Sequence, residues 1–165
     1  WEVRNRSSYE VTIRSSDDTT IDIINLGFIK FVALQDAPTT NTHWSWNERN
    51  ETYTHTVNFT GPCTLSSVDV FLTRIGYHSC MYIKQSICTS TVATVFAISS
   101  AIPDRFRPST EFRGQTRGNS GGYTNDMTYT VATNGNITVY ANVSEGNFGA
   151  SGGAGWYGIN YCHIR

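Results

Sequence analysis

Apolar and polar residues alternate with a period of two along much of this chain. From Thr52 to Thr60, Tyr53, His55, Val57 and Phe59 fall on one side, and Thr52, Thr54, Thr56 and Asn58 on the other. Successive side chains of a strand point to opposite faces, so this run predicts a strand with one buried face and Asn58 turned outward. Ile137, Val139 and Ala141 repeat the pattern against Asn136, Thr138, Tyr140 and Asn142. Strand-like runs recur at 9–14, 20–24, 28–34, 53–59, 68–73, 80–87, 92–98, 127–133, 136–143 and 156–164, with turn residues between them. Short runs at such spacing predict an all-β fold: an antiparallel β-sandwich of jelly-roll type with about ten strands, one domain over residues 1–165. Asn134-Gly135 lies between two alternating runs and predicts a hairpin over 127–143 with a type I′ turn.

Three stretches break the pattern. Residues 36–50 hold Pro38, His43, Trp44 and Trp46; residues 103–122 hold two Pro and four Arg; residues 146–158 hold six Gly in thirteen positions. Long polar loops on a rigid β scaffold are where binding concentrates.

Composition narrows the picture. The net charge is -1 with only 15% charged residues, which leaves no electrostatic footprint for duplex nucleic acid or an acidic membrane. No apolar run reaches the roughly 18 residues of a membrane helix, so insertion is not expected. The chain opens at Trp1 without a basic segment and apolar signal core, as a processed chain or an excised domain would. Its 22 Thr, 16 Ser and 13 Asn make a surface that avoids ordinary charge and suits pleated strands.

Asn5, Asn50, Asn58, Asn136 and Asn142 each begin an N-glycosylation sequon, where chance predicts about three. A Thr-rich sheet without sugars is the plainer alternative. Cys63, Cys80, Cys88 and Cys162 form an even set without zinc-site spacing, which predicts disulfides in an oxidising compartment. A hairpin around Gly76 would bring Cys63 near Cys88 and leave Cys80 for Cys162; free thiols are the alternative.

Catalytic signatures are absent from the sequence. His43, His55, His78 and His163 are scattered, and neither H-E-x-x-H nor G-x-S-x-G occurs, so no catalytic residue, metal or cofactor is expected. Asp17-Asp18 fits a turn between strands as well as half of a carboxylate pair. Aromatic rings are more telling. Trp44, Trp46 and Tyr53 border the first loop, and Trp156 and Tyr157 follow the glycine-rich one. Such rings stack on the apolar faces of sugars, or else plug the sheets' ends or subunit contacts. Arg105 and Arg107, with Arg113 and Arg117, could capture an anionic group through bidentate bonds or pair with Asp104 and Glu111.

Three segments occur in an order that resembles the C-terminal heads of phage and viral fibre proteins. They are Val68 to Gly76, containing Leu72-Thr73-Arg74-Ile75-Gly76; Ile102-Pro103-Asp104-Arg105-Phe106-Arg107-Pro108; and Asn134 to Tyr140. The resemblance covers about residues 65–165, whereas residues 1–60 match no named family. It implies a jelly-roll head, a homotrimer at a fibre tip, that recognises a host glycan or surface protein. Paired cysteines and outward sequons depart from phage heads and point to a virus of a eukaryote or to a eukaryotic secreted protein. The leading expectation is therefore a non-enzymatic attachment head on a virion surface or in the extracellular space. The alternatives are a secreted glycoprotein subunit that polymerises into a filament or coat by strand addition, a C1q- or TNF-like module, and last an enzyme.

Overall fold

The structure, a computed structural model, describes residues 1–7, 9–24, 26–34 and 39–164, with all their side chains except those of His43, Ser45, Trp46, Asn47 and Glu48. Among these residues twelve strands form: β1 Glu2–Asn5, β2 Val11–Arg14, β3 Thr20–Ile24, β4 Leu26–Ala33, β5 Trp44–Thr60, β6 Leu65–Ile75, β7 His78–Thr89, β8 Phe96–Ile98, β9 Phe112–Ser120, β10 Tyr123–Val131, β11 Ile137–Tyr140 and β12 Gly153–Ile164. Short 3-10 turns occupy Asn41–His43 and Asp104–Phe106. Among the described residues no helix is long and apolar enough to cross a membrane.

The chain forms two compact units, Trp1–Tyr53 with Thr73–His78, and Thr54–Leu72 with Ser79–Arg165. In the first, β4 pairs antiparallel with β1 and with the start of β5, and β2 and β3 form a two-stranded sheet. Ile24, Ile29 and Phe31 are buried there, with Val3, Ile13, Ile21 and Trp44 packed on them.

In the second unit the hydrogen-bonded order β5-β6-β7-β12-β9-β10-β11-β8 returns to β5. The expected all-β class is observed, but the jelly-roll sandwich is replaced by a closed eight-stranded barrel. The difference lies in β8. Ala97 pairs with Thr138 on one side and Thr60 on the other, so this three-residue strand spends both edges and joins the ends of the sheet. Closure abolishes edges that a sandwich would have to protect. Inside lie Val57 and Phe59 of β5, Val70 and Leu72 of β6, Met81 and Ile83 of β7, and Trp156 of β12, all at most 4% exposed.

Two further departures have local causes. β9 falls in a stretch expected to be irregular, and Phe112-Arg113-Gly114-Gln115-Thr116-Arg117-Gly118 has too little apolar alternation to announce it. Its glycines serve packing instead. A Cβ on Gly114 would strike the Tyr129 ring, and one on Gly118 would meet Trp156 Cα at 2.8 Å. The hairpin over β10 and β11 forms as expected, but its turn is not type I′. Only Gly135 has positive φ (+85°), Gly135 N–H donates to Ala132 O, and Ala132 N–H donates to Asn136 O. That is a three-residue loop closed by a glycine in the left-handed region.

Cys63 is bonded to Cys88 and Cys80 to Cys162, with Cα separations of 6.5 and 4.0 Å, the pairing the β6–β7 hairpin favours. The second bond joins residues 82 apart in sequence, β7 to the last strand. Because cross-linking long loops restricts the unfolded chain most, replacing Cys80 and Cys162 together by Ala is expected to cost about 2–5 kcal/mol. A urea titration of the variant and parent reads this directly; an unchanged midpoint would show that the bond does not stabilise the barrel.

Candidate functional site

The smaller unit contains an apolar cleft of about 120 Å³. Val3 of β1, Ile13 of β2, Ile21 of β3 and Phe31 of β4 form its floor, and two tryptophans and Arg14 complete the lining. Trp44 opens β5 opposite Ala33 of β4, and Trp1 is held beside β4 because Phe31 N–H donates to Trp1 O at 2.7 Å. The two indoles meet edge to face, centroids 5.1 Å apart and planes at 62°. Trp1 is 81% exposed and offers a broad flat surface, while Trp44 is half-buried.

The Trp44 indole Nε1–H is shielded from solvent and donates to no acceptor among the described residues. Leaving a buried donor unmade costs about 1–3 kcal/mol. Arg14, at the cleft's rim, is held by Asp18 at 2.9 Å. The adjoining turn is built on Asp17, whose carboxylate accepts from Ser15 Oγ at 2.5 Å, Thr19 Oγ1 at 2.7 Å and Thr19 N–H at 3.1 Å. Those bonds, first of all from Ser15 and Thr19, lower its pKa below the ordinary carboxylate range. Asp17 and Asp18 thus belong to a turn, and among the described residues no group of three or more His, Cys, Asp and Glu could hold a metal ion. The cleft combines stacking surface with a cation at the rim: the means for non-covalent capture of a small amphipathic ring.

The same unit buries an ionic group that the sequence does not announce. Arg49, 2% exposed, donates to Asp22 Oδ2 at 2.7 Å, to Ile23 O at 2.7 Å and to Glu51 Oε2 at 2.9 Å. Arg49 and Glu51 share the inward parity of Tyr53, two positions farther along β5, so the period-two pattern continues N-terminally into a segment expected to be a loop. The signal is the parity itself, hidden by the charges occupying it.

The other predicted site residues separate. The Trp46 and His43 side chains lie outside the described residues, and Tyr53 is half-buried at the boundary of the first unit. Trp156 is a correction. It is fully buried in the barrel, edge-on to Phe59 and Phe96 at 4.9 and 5.4 Å, with Nε1–H donating to Lys84 O at 3.0 Å. A ring with both faces covered cannot stack on a ligand. Tyr157 is outward because β12 changes parity: Ala154 and Trp156 point in, then Ile159 and Tyr161, leaving Tyr157 and Gly158 together outside. Its hydroxyl lies 3.1 Å from Thr124 Oγ1.

Arg105 lies over the Phe106 ring at 5.3 Å. Arg107, expected in ligand binding, acts as a brace: Nε donates to Ile102 O at 2.7 Å, and the guanidinium pairs with Asp104. Ile102 N–H in turn donates to Gly135 O at 3.0 Å, so the Ile102 to Pro108 segment closes onto the β10–β11 turn.

Of the sequons, Asn50, Asn58, Asn136 and Asn142 are exposed. Asn5 corrects the expectation. It is 4% exposed, and its Nδ2, the atom that would carry a sugar, donates to Tyr9 O at 2.5 Å and Ile24 O at 3.1 Å.

Two predictions concern this chemistry. Replacing Arg49 by Met strands the buried carboxylates and is expected to destabilise the smaller unit by about 3–5 kcal/mol, read by hydrogen exchange of β4 amides; unchanged protection would refute the role given to the ion group. Burial, with the nearby Tyr129 phenol, raises the pKa of Tyr161, whose hydroxyl has no hydrogen-bond partner among the described residues. A phenol whose folded pKa exceeds its unfolded value of about 10 contributes full stability below that pH and loses it as pH rises toward the folded value. Tyr161→Phe is therefore expected to be nearly neutral at pH 7 and to flatten the fall of stability above pH 10, measured by urea titrations across that range.

No family model and no curated protein sequence matches the chain. Among solved structures, it is similar to a reovirus attachment protein, sigma1, crystallised in complex with alpha-2,3-sialyllactose, at 15% identity over 79% of this chain and 78% of that chain, with a TM-score of 0.42.

Proposed function

We propose that this chain is a non-enzymatic attachment head, displayed on a virion surface or in an extracellular setting, that captures a host-surface glycan in the Trp1–Trp44 cleft. The observation that carries the reading is the exposed face of Trp1, braced edge to face by Trp44 over an apolar cleft with Arg14 at its rim. A pyranose offers what this arrangement lacks: an apolar face for the indole and hydroxyl oxygens for the guanidinium. Two disulfides and four exposed sequons support an oxidising, glycosylating route to the surface. The head works as a homotrimer, because a cleft this small binds one sugar weakly and three clefts on one particle multiply the effect. It uses no cofactor and returns its ligand unchanged.

A glycan array followed by titration calorimetry tests this. Trp44→Ala removes the ring that lines the cleft and braces Trp1, so about a fivefold to tenfold loss of affinity is expected. Trp1→Ala removes the stacking face and is expected to lose at least about tenfold, with an unchanged melting temperature. Light scattering should return three times the 18.4 kDa chain mass. Undiminished binding by both variants, or no array signal from the parent, would refute the cleft as the site.

A further inference from the structure

The barrel carries a second concavity that the attachment reading leaves unused. It is a groove of about 440 Å³ between the start of β6 and the end of β7, within the size range of small-ligand sites. Ser66, Ser67, Asp69, Lys84, Gln85 and Ser86 supply hydroxyls, an amide and one charge of each sign. Leu65 and Ile87 add apolar surface. Such a lining suits a sugar, which presents hydroxyls at its edge and carbon at its face, better than a lipid or an extended anion.

What sits beside it identifies the sugar. Asn58, outward on β5, accepts from Ser67 N–H through Oδ1 at 3.0 Å. Ser67 holds a left-handed φ of +55°, unusual for a non-glycine residue, and spends its N–H on that side chain. The bond orients the Asn58 carboxamide at the groove's margin. Among the described residues its Nδ2 has no hydrogen-bond partner, in contrast to the doubly engaged Nδ2 of Asn5. The next lining residue on this face is tied down likewise, Thr56 Oγ1 donating to Asp69 Oδ1 at 2.6 Å.

From this we infer that the groove is the seat of a glycan on Asn58: the chain carries an N-linked oligosaccharide there, and its first sugars lie along the hydroxyl-lined wall between β6 and β7. The inference rests on the glycosylating route proposed above. Attachment precedes folding. Nδ2 bonds to the anomeric carbon of an oligosaccharide carried on a polyprenyl diphosphate, the carbon–oxygen bond to the diphosphate breaks with its electron pair leaving on phosphate, and Nδ2 loses one proton to a base of the membrane transferase. Seated afterwards, the sugar covers polar backbone margins that a bare barrel would leave to water, and screens the β5–β7 face from proteases.

The test uses the whole chain secreted from eukaryotic cells. Amide-cleaving glycosidase is applied to the folded protein in heavy-oxygen water, and peptide mass spectrometry follows release at Asn58, with Asn136 in the β10–β11 turn as the internal reference. Release at Asn58 is expected to be about tenfold slower, the protection that one or two net hydrogen bonds provide. The double variant Lys84→Ala, Gln85→Ala removes part of the wall at exposed positions and should bring Asn58 to the rate of Asn136 with the melting temperature unchanged. If that variant melts early, Thr60→Ala, which deletes the sequon but keeps Asn58, supplies the second reading: amides of Ser66 and Gln85 should exchange faster without the sugar. Sugar on Asn136 or Asn142 but none on Asn58 would overturn the inference and leave the glycosylating route standing. Sugar on no asparagine would overturn both. Equal release rates at Asn58 and Asn136 in the parent would overturn the seat.

Discussion

The barrel depends on one constraint, that every strand of the eight has both edges bonded. β8 meets it with three residues, Phe96 to Ile98, bonded to β11 and to the end of β5. A long strand there would not be needed, because the interior is filled by a few large rings. Phe96 touches Phe148 and Trp156 edge to face, at 5.1 and 5.4 Å, and Trp156 also meets Phe59. The indole takes so much room that neighbouring backbone must come close, which is why Gly118 lies opposite Trp156 and why a Cβ on Gly155 would meet Ile87 Cα at 2.8 Å. Closure and ring packing are thus one device: small residues in β9 and β12 admit the ring, and the ring gives the short β8 something to seal.

The smaller unit is held differently. Its apolar core is Ile24, Ile29 and Phe31 with a few partners, and alongside it Arg49 collects two carboxylates and a carbonyl. A buried ion group adds little net stability over an apolar replacement, but it punishes any register in which the partners do not meet. Arg49 and Glu51 lie on β5 and Asp22 on β3, so the group fixes which residues of the two strands belong together. The same strand carries Trp44, whose indole meets Trp1 edge to face.

Most of the strand inventory is legible because alternation depends only on which side of a sheet is dry. Thr20 to Ile24 is a strand within its expected limits, and the 53–59 run lies inside β5. Where alternation fails as a guide, the side chains carry another message. β9 is written in Gly and Arg because one face is crowded by Tyr129 and Trp156 and the other is wet. The start of β5 is written in charge because its dry side holds an ion group instead of a core. Closure into a barrel is not legible in the sequence, since it rests on the three residues of β8, and three residues carry no periodicity. Trp44 stands out by its place in a polar segment, but its partner Trp1 lies 43 positions away, just before a strand too short to predict.

Parity also links the core to the sequons. On β5 the residues that point inward are Arg49, Glu51, Val57 and Phe59, and those that point outward include Asn50 and Asn58. An asparagine placed between two buried residues of a long central strand has no choice of side, and its carboxamide is delivered to solvent by the same alternation that fills the barrel. Asn5 stands at the end of a four-residue strand, where the chain leaves the sheet and no following residue enforces parity. Its side chain turns back to satisfy the carbonyls of Tyr9 and Ile24. The five sequons therefore separate: Asn5 makes a structural bond, Asn50 and Asn58 are turned outward by the parity of β5, and Asn136 and Asn142 are exposed in the turns on either side of β11.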